Sequence, residues 1–199
     1  MSDLPAGAST RPKRADARRN HDRIVTAARD AFATHGADAP LDDIARNAGV
    51  GPGTLYRHFP TRAALVEAVY REHIGGMADL ARELAERFPP GEALERWMHE
   101  QVDSMRLHRG LGTALKSALD RTSETFTWCQ ATIRAAASAL VEAAQAAGDI
   151  RTDVTGLEVL RLTHGIAMAS EYAPEGADRL LQITIDGLRP RPEPVNRDR

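Results

Sequence analysis

Four neighbouring polar side chains carry groups suited to recognising a nucleic acid: Thr54, Tyr56, Arg57 and His58. A hydroxyl, a phenol, a guanidinium and an imidazole can all donate hydrogen bonds to phosphate oxygens or to base edges. A guanidinium can also read guanine through two parallel hydrogen bonds. A short helix that presents such groups on one side is typical of a helix that enters the major groove of DNA. The alternative is an ordinary helical hairpin whose polar face is only solvated.

Two short helices joined by a tight turn, within residues 41–62, are predicted to position these groups. The first helix has an apolar face made by four residues at helical spacing: Leu41, Ile44, Ala45 and Ala48. Gly49 then ends this helix, since glycine tolerates the left-handed backbone that follows a helix. Pro52 can begin the second helix, because a residue in the first turn needs no amide donor. Leu55 and Phe59 form the inner stripe of the second helix, which leaves the polar groups facing outward.

This segment resembles the helix-turn-helix of the TetR family of bacterial repressors. The resemblance covers roughly residues 20–75, and three runs carry it: Asp43-Ile44-Ala45, Ala48-Gly49-Val50 and Gly53-Thr54-Leu55-Tyr56-Arg57-His58-Phe59. It implies a homodimer that binds double-stranded operator DNA and is released by a small molecule. It also implies DNA contacts by Gly53, Thr54, Tyr56, Arg57 and His58. Arg62, at the start of the next helix, resembles the basic residue with which relatives hold a phosphate.

A basic segment precedes this motif. Residues 11–23 carry six basic and two acidic side chains, although the whole chain has a formal net charge of −2. A basic amino-terminal end on a mildly acidic remainder suits a DNA-reading domain attached to a sensing or dimerising body. Arg18 and Arg19 are predicted to follow phosphates or the minor groove, as basic arms do. The alternative for residues 1–17 is a passive disordered tail.

The positions of the prolines predict the overall organisation. None of the 11 prolines lies between residues 91 and 173, and no alternating β-branched run indicates a strand. We therefore predict an all-α protein of about nine helices, with an amino-terminal three-helix helix-turn-helix domain and a larger helical body for ligand binding and dimerisation. The predicted division is a disordered basic arm over 1–17, the DNA-binding domain over 18–62, the body over 63–188 and a disordered tail over 189–199. A short helix is expected over 113–121.

Seven side chains of the body are predicted to line a cavity for a small, moderately apolar ligand: Trp97, Met98, Gln101, Met105, Trp128, His164 and Met168. Methionine and large aromatic side chains adapt to such ligands. The alternative is that these residues are ordinary core, as aromatic and methionine stripes at helical spacing usually are.

Dimerisation is predicted through the last two of the nine helices, about 153–172 and 177–188, where the family resemblance places a four-helix contact. Six apolar residues in them exceed the needs of one thin layer: Leu157, Leu160, Ile166, Leu181, Ile185 and Leu188. Gly165 and Ala169, one turn apart, would permit close approach of a second helix. The alternative is that these residues only close the core of one protomer.

An enzyme is the main rival class, but the sequence gives it little support. His99, Asp103 and His108 lie close together without a metal-binding or nucleophile motif, and a solvated polar face explains them better. We predict no catalytic site, no metal and no cofactor; a ligand-independent DNA-binding or interaction protein is the other alternative. The only cysteine, Cys129, is expected to be a small buried residue, with redox sensing as its alternative. The absence of a membrane-spanning run and of a signal-peptide core predicts a cytoplasmic location and no membrane partner.

Overall fold

The computed structural model describes residues 11–107, 122–170 and 174–190, which form eight α-helices and two short 3₁₀ turns. The helices are α1 (Arg11–His35), α2 (Leu41–Asn47), α3 (Pro52–His58), α4 (Arg62–Arg87), α5 (Pro90–Leu107), α6 (Glu124–Ala146), α7 (Gly156–Ala169) and α8 (Ala177–Leu188). These ranges contain no strand, and the all-α prediction is confirmed. The helix predicted over 113–121 lies outside the described residues, as do residues 1–10 and 191–199.

An amino-terminal head forms where α1, α2 and α3 pack on the first turns of α4. Ile24, Ala28 and Phe32 recur at helical spacing along α1, and all three are fully buried. The other helices contribute the remaining large side chains of this core: Ile44, Leu55, Phe59, Leu65, Val66 and Val69. The head therefore has a hydrophobic core of its own.

The turn between α2 and α3 forms as its residue types require. Gly49 has a positive φ of 63°, which a residue without a Cβ adopts readily. The Val50 amide donates to the Ala45 carbonyl at 3.0 Å and closes the turn. Pro52 is the first residue of α3, and the Thr61 hydroxyl accepts from the Ala64 amide at 3.1 Å at the start of α4. These contacts set the direction in which α3 leaves the turn.

A larger helical body contains the second core. It is built by α5, α6, α7, α8 and most of α4, around the buried side chains of Leu94, Trp97 and Met98. Thr155 begins α7 with a reciprocal cap, since its hydroxyl accepts from the Glu158 amide while the Glu158 carboxylate accepts from the Thr155 amide. Helices α6 and α7 approach closely, because a Cβ at Gly156 would lie 2.5 Å from the Ser138 amide nitrogen.

Helix α4 belongs to both cores. Its first three turns bury Leu65 and Val69 in the head, and its later turns bury Ile74, Met77 and Leu84 in the body. The helix has 26 residues and is therefore about 39 Å long. A tilt of α4 within the body would therefore move the head.

Helix α1 begins at Arg11, earlier than predicted. The stretch from Arg11 that was expected to belong to a disordered arm is helical instead. Pro12 is compatible with the first turn of a helix, and the following alanines and arginines are strong helix formers. The basic residues of this stretch therefore belong to α1 rather than to an irregular arm.

Candidate DNA interface and ligand site

Helix α3 has one buried side and one exposed side. Leu55 is 1% exposed, and Phe59, directly after the helix, is also buried. Tyr56 is 48% exposed, and Arg57 lies beside it on the open surface. Gly53 is exposed at the amino-terminal end of the helix, where no atom lies within 4 Å of the position of a Cβ. The fold thus presents α3 as a helix whose outer face is open.

The polar groups on this open face have little to bind within the protein. Within the described ranges, neither Tyr56 nor Arg57 makes a hydrogen bond or an ion pair, so their donors are available to an external acceptor. His58 is only partly exposed, and its ring centroid lies 6.3 Å from that of Phe59 and 6.3 Å from that of His21 on α1. His58 therefore also serves as packing between α1 and α3. Thr54 is partly exposed as well.

Arg23 holds the turn that precedes α3. Its Nη2 donates to the Gly49 carbonyl at 3.1 Å and so ties α1 to the end of α2. A Cβ at Gly49 would lie 2.2 Å from the same nitrogen, so this contact requires glycine there. Sequence reasoning counted Arg23 only as positive charge. The pairing of a long side chain with a carbonyl 26 residues away leaves no local signal in a sequence.

Arg62 uses at least one of its guanidinium nitrogens for a hydrogen bond within the protein. Its Nη1 donates to the Ala39 carbonyl at 2.6 Å, just before α2 begins, and the side chain is partly buried. Arg62 therefore joins the start of α4 to the start of α2. The phosphate contact predicted for it stays a prediction.

The basic residues predicted on the arm differ in their surroundings. Arg18 is exposed on α1 and makes no ion pair within the described ranges. Arg19 is also exposed, but it forms an ion pair with Asp16 on the same helix. Since part of the charge of Arg19 is offset, Arg18 is the stronger candidate for a phosphate contact.

The seven predicted ligand residues fall into two groups. Trp97, Met98 and Gln101 are buried in the body on one side of α5, and Met105 and Trp128 pack against the same core. The structure does not bring the other two, His164 and Met168, to this place. Both are exposed on the outer side of α7, and Met168 is 43% exposed.

Polar groups in the body core are mostly satisfied. The indole nitrogen of Trp97 donates to the Met77 carbonyl at 2.9 Å, and the Arg71 guanidinium lies 4.0 Å from the ring centroid of Trp128. Burial raises the pKa of the Cys129 thiol to about 11, although the nearby positive charge of Arg71 opposes this shift. The side chain of Gln101 differs, since its Nε2 has no hydrogen-bond partner within the described ranges.

Comparison with protein families decides what this arrangement is. The amino-terminal model of the tetR family of bacterial regulatory proteins matches residues 24–69, which include α2, α3 and the turn between them. A model for the C-terminal domain of SbtR-like transcriptional regulators matches residues 89–190, about half of the chain. The chain belongs to the TetR family of bacterial transcriptional regulators. The predicted family is thereby confirmed.

Two solved TetR structures are similar over most of the chain. A TetR transcriptional regulator from Streptomyces coelicolor is 39% identical, with a TM-score of 0.75; the match covers 86% of this chain and 99% of that one. A TetR regulatory protein from Mycobacterium vanbaalenii is 38% identical, also with a TM-score of 0.75, over 89% of this chain and 99% of the other.

Among curated helix-turn-helix regulators, the similarity is confined to a shorter stretch. An uncharacterised helix-turn-helix regulator named TtgW, from Pseudomonas putida, is 42% identical over 62 residues. That match covers 30% of this chain and 46% of TtgW, so the chain spans less than half of the relative.

Four large apolar side chains of α7 and α8 are exposed in this TetR-family protein: Leu162, Met168, Leu180 and Ile183. We refer to these four residues as the outer apolar face. Leu180 and Ile183 are 40% and 52% exposed, while their neighbours Leu181 and Ile185 are buried. Ile166 and Leu188, also predicted to form a dimer contact, are buried in the protomer's own core.

The prediction of which residues face a partner is therefore corrected for Ile166, Leu181, Ile185 and Leu188, which close the core of one protomer. On α8, the buried pair Leu181 and Ile185 and the exposed pair Leu180 and Ile183 are both apolar and both repeat at helical spacing. Spacing alone therefore does not say which pair faces the core. Leu157 and Leu160 are partly buried.

Neither a metal centre nor a membrane span is found in the described part of this TetR-family protein. No group of three His, Cys, Asp or Glu side chains there is arranged to hold a metal ion. No helix there is long and apolar enough to cross a membrane.

Proposed function

We propose that this protein is a homodimeric transcriptional repressor that reads operator DNA with α3 and releases it when a small molecule binds in the body. One observation carries the proposal. Tyr56 and Arg57 lie without internal partners on the open side of a helix whose other side, with Leu55, is locked into the head core. Such a helix is rigidly positioned and has free polar groups, as insertion into a major groove requires.

The contacts on α3 divide between base recognition and positioning. Arg57 is the candidate for reading guanine, because its guanidinium is exposed and unpaired. Tyr56 and His58 are assigned to phosphates, and Thr54 to a phosphate or a thymine methyl. Gly53 allows the backbone to approach the groove closely. Arg18, Arg19 and Arg62 add phosphate contacts at the edges of this surface.

The outer apolar face is the proposed dimer contact. Isolated soluble protomers rarely expose several large apolar side chains together, so Leu162, Met168, Leu180 and Ile183 indicate a covered surface. Gly165 lies exposed on the same helix, with no atom within 4 Å of the position of a Cβ, and would let a second copy approach closely. A two-fold pair of heads would also double the base contacts made by one head.

Ligand release is proposed to act through α4. This helix is shared by both cores, so a ligand that displaces α4 in the body moves the head with it. One protein of the same fold is a γ-butyrolactone receptor, at 23% identity and a TM-score of 0.61. The fold can thus house a small-molecule receptor.

The proposal can be tested by selecting bound fragments from genomic DNA with the full chain. We expect a specific, salt-sensitive complex, because neutralised phosphates release counterions. Replacement of Arg57 by alanine is expected to weaken binding by about 1–3 kcal/mol and to relax the base preference at one position. Arg134→Ala is the matched control, since Arg134 is exposed on α6 in the body.

Each rival function predicts a different result. No specific band at any salt concentration would favour a helical enzyme or an interaction module. A specific complex that tolerates Arg57→Ala as well as Arg134→Ala would contradict the assignment of α3. An operator complex that no small molecule dissociates would support ligand-independent DNA binding.

A further inference from the structure

Among the described residues of the body, three polar ones are buried: Gln101, Thr163 and Ser170. The two hydroxyls are satisfied by carbonyls of their own helix. The Thr163 hydroxyl donates to the Leu160 carbonyl at 3.0 Å, and the Ser170 hydroxyl donates to the Ile166 carbonyl at 2.7 Å. Gln101 is 3% exposed, and its Nε2 has no partner within the described ranges. Among these three residues, Gln101 is the exception to the rule that buried polar groups are paired.

The neighbours of Gln101 on α5 do not supply the missing acceptor. Trp97 lies one turn before Gln101, but its indole is itself a donor, already bound to the Met77 carbonyl. Met98 and Met105 occupy the same side of the helix, and a thioether sulfur is only a weak acceptor. On α5, the buried amide donor of Gln101 therefore has an indole donor and two thioethers as its neighbours, and an unmade hydrogen bond in a buried place is costly.

We infer that the Gln101 side-chain amide is the donor that recognises the effector. The matching ligand is an uncharged, mainly apolar molecule that carries a carbonyl or comparable acceptor oxygen. No charged side chain is fully buried in the described part of the body, so a charged ligand group would find no fully buried charged partner among those residues. This inference rests on the proposed ligand-responsive function, and it names the chemical class of ligand.

The first test needs no ligand. Replacing Gln101 by methionine keeps the length of the side chain and removes the unpaired donor, so we expect the melting temperature of the unliganded protein to rise by a few degrees. Gln145→Met is the matched control, because the Gln145 Nε2 donates to the Arg151 and Val154 carbonyls at 3.1 and 2.8 Å. The control should lower the melting temperature. A drop of similar size for Gln101→Met would mean that its amide is paired, and would overturn the inference.

The second test uses two matched pairs of probes, 4-phenyl-2-butanone with butylbenzene and cyclooctanone with cyclooctane. Each ketone differs from its hydrocarbon by the acceptor oxygen. We expect the wild-type protein to bind at least one ketone about tenfold more tightly than its hydrocarbon. The preference should vanish in Gln101→Met and persist in Gln145→Met. In ¹H–¹⁵N spectra, the Gln101 side-chain amide should shift with the ketone and not with the hydrocarbon.

The outcomes separate this inference from the proposed function. Ketones that bind the wild type no better than hydrocarbons, or not at all at millimolar concentration, overturn the role of Gln101. A preference that survives in Gln101→Met overturns it as well. A preference that depends on Gln101 supports the inference even if the ketone leaves operator binding unchanged, in which case only the ligand-release part of the proposed function fails.

Discussion

At the scale of single residues, burial decides what the only cysteine can do. Cys129 is fully buried, and removal from water raises the pKa of its thiol from about 9 to about 11. The thiolate is the reactive species, so about one molecule in a thousand carries it at pH 8. The structure therefore favours the expectation that Cys129 is a small buried side chain over the alternative that it senses the redox state.

We predict that iodoacetamide modifies native Cys129 at pH 8 about a hundredfold more slowly than it modifies the chain in guanidinium chloride. Mass spectrometry of quenched time points measures both rates. Equal modification rates in the native and the unfolded chain, or loss of operator binding after mild oxidation at neutral pH, would instead support redox sensing by Cys129. The same pKa shift implies that stability falls as the pH rises from about 9 to about 11, because the unfolded chain then releases a proton that the native chain retains.

Single residues also mark the limit of what the sequence predicted. The types of Tyr56 and Arg57 and their helical spacing were enough to place them on the open side of α3. The internal hydrogen bonds of Arg23 and Arg62, and the missing partner of Gln101, were not predictable. They depend on where a distant carbonyl lies, and a sequence without its fold does not contain that distance.

At the scale of elements, the turn before α3 determines how α3 is presented at the surface of the head. Gly49→Ala would force an alanine into a left-handed backbone and push its Cβ against the Arg23 guanidinium. We expect a loss of roughly 1–2 kcal/mol in the free energy of unfolding, together with weaker operator binding. Urea denaturation and gel shift measure the two effects.

Gly51→Ala is the control for this substitution. Gly51 has a φ of −72°, and no atom lies within 4 Å of the position of a Cβ there. Its replacement should change the free energy of unfolding by less than about 0.5 kcal/mol. If both alanine variants were equally stable, the clamp between Arg23 and the turn would contribute nothing measurable.

Helix ends were predicted better than helix faces. Gly49 was predicted to end α2 and Pro52 to begin α3, and the structure has a positive φ at Gly49 and α3 starting at Pro52. The stripe of α8 assigned to the dimer contact was wrong, since Leu181 and Ile185 are buried in the protomer. Leu180 and Ile183 repeat at a similar helical spacing and are the exposed pair. Packing against the other helices decides between two such stripes, and that packing is a long-range property.

At the scale of the whole molecule, the proposed function makes the distance between the two heads of a dimer the regulated quantity. A two-fold dimer reads two half-sites about 34 Å apart along the DNA, so both recognition helices must be held at that separation. Each head is attached to its body by the continuous helix α4. If two bodies join through the outer apolar face, a ligand-induced tilt of α4 in each protomer would alter the separation of the heads.

The final prediction tests this assembly with two neighbouring leucines. Leu180 belongs to the outer apolar face and Leu181 to the core of the protomer. Burying a carboxylate at an apolar contact is costly, so Leu180→Glu should split the dimer while the protomer keeps its helical content and most of its thermal stability. Leu181→Glu should instead unfold the protomer, because it places the charge in its core. Sedimentation velocity at micromolar concentration and thermal melting by circular dichroism distinguish the two variants. If Leu180→Glu sediments as a dimer like the wild type, or if the wild type is a monomer both alone and on its operator, the heads are not coupled through this face.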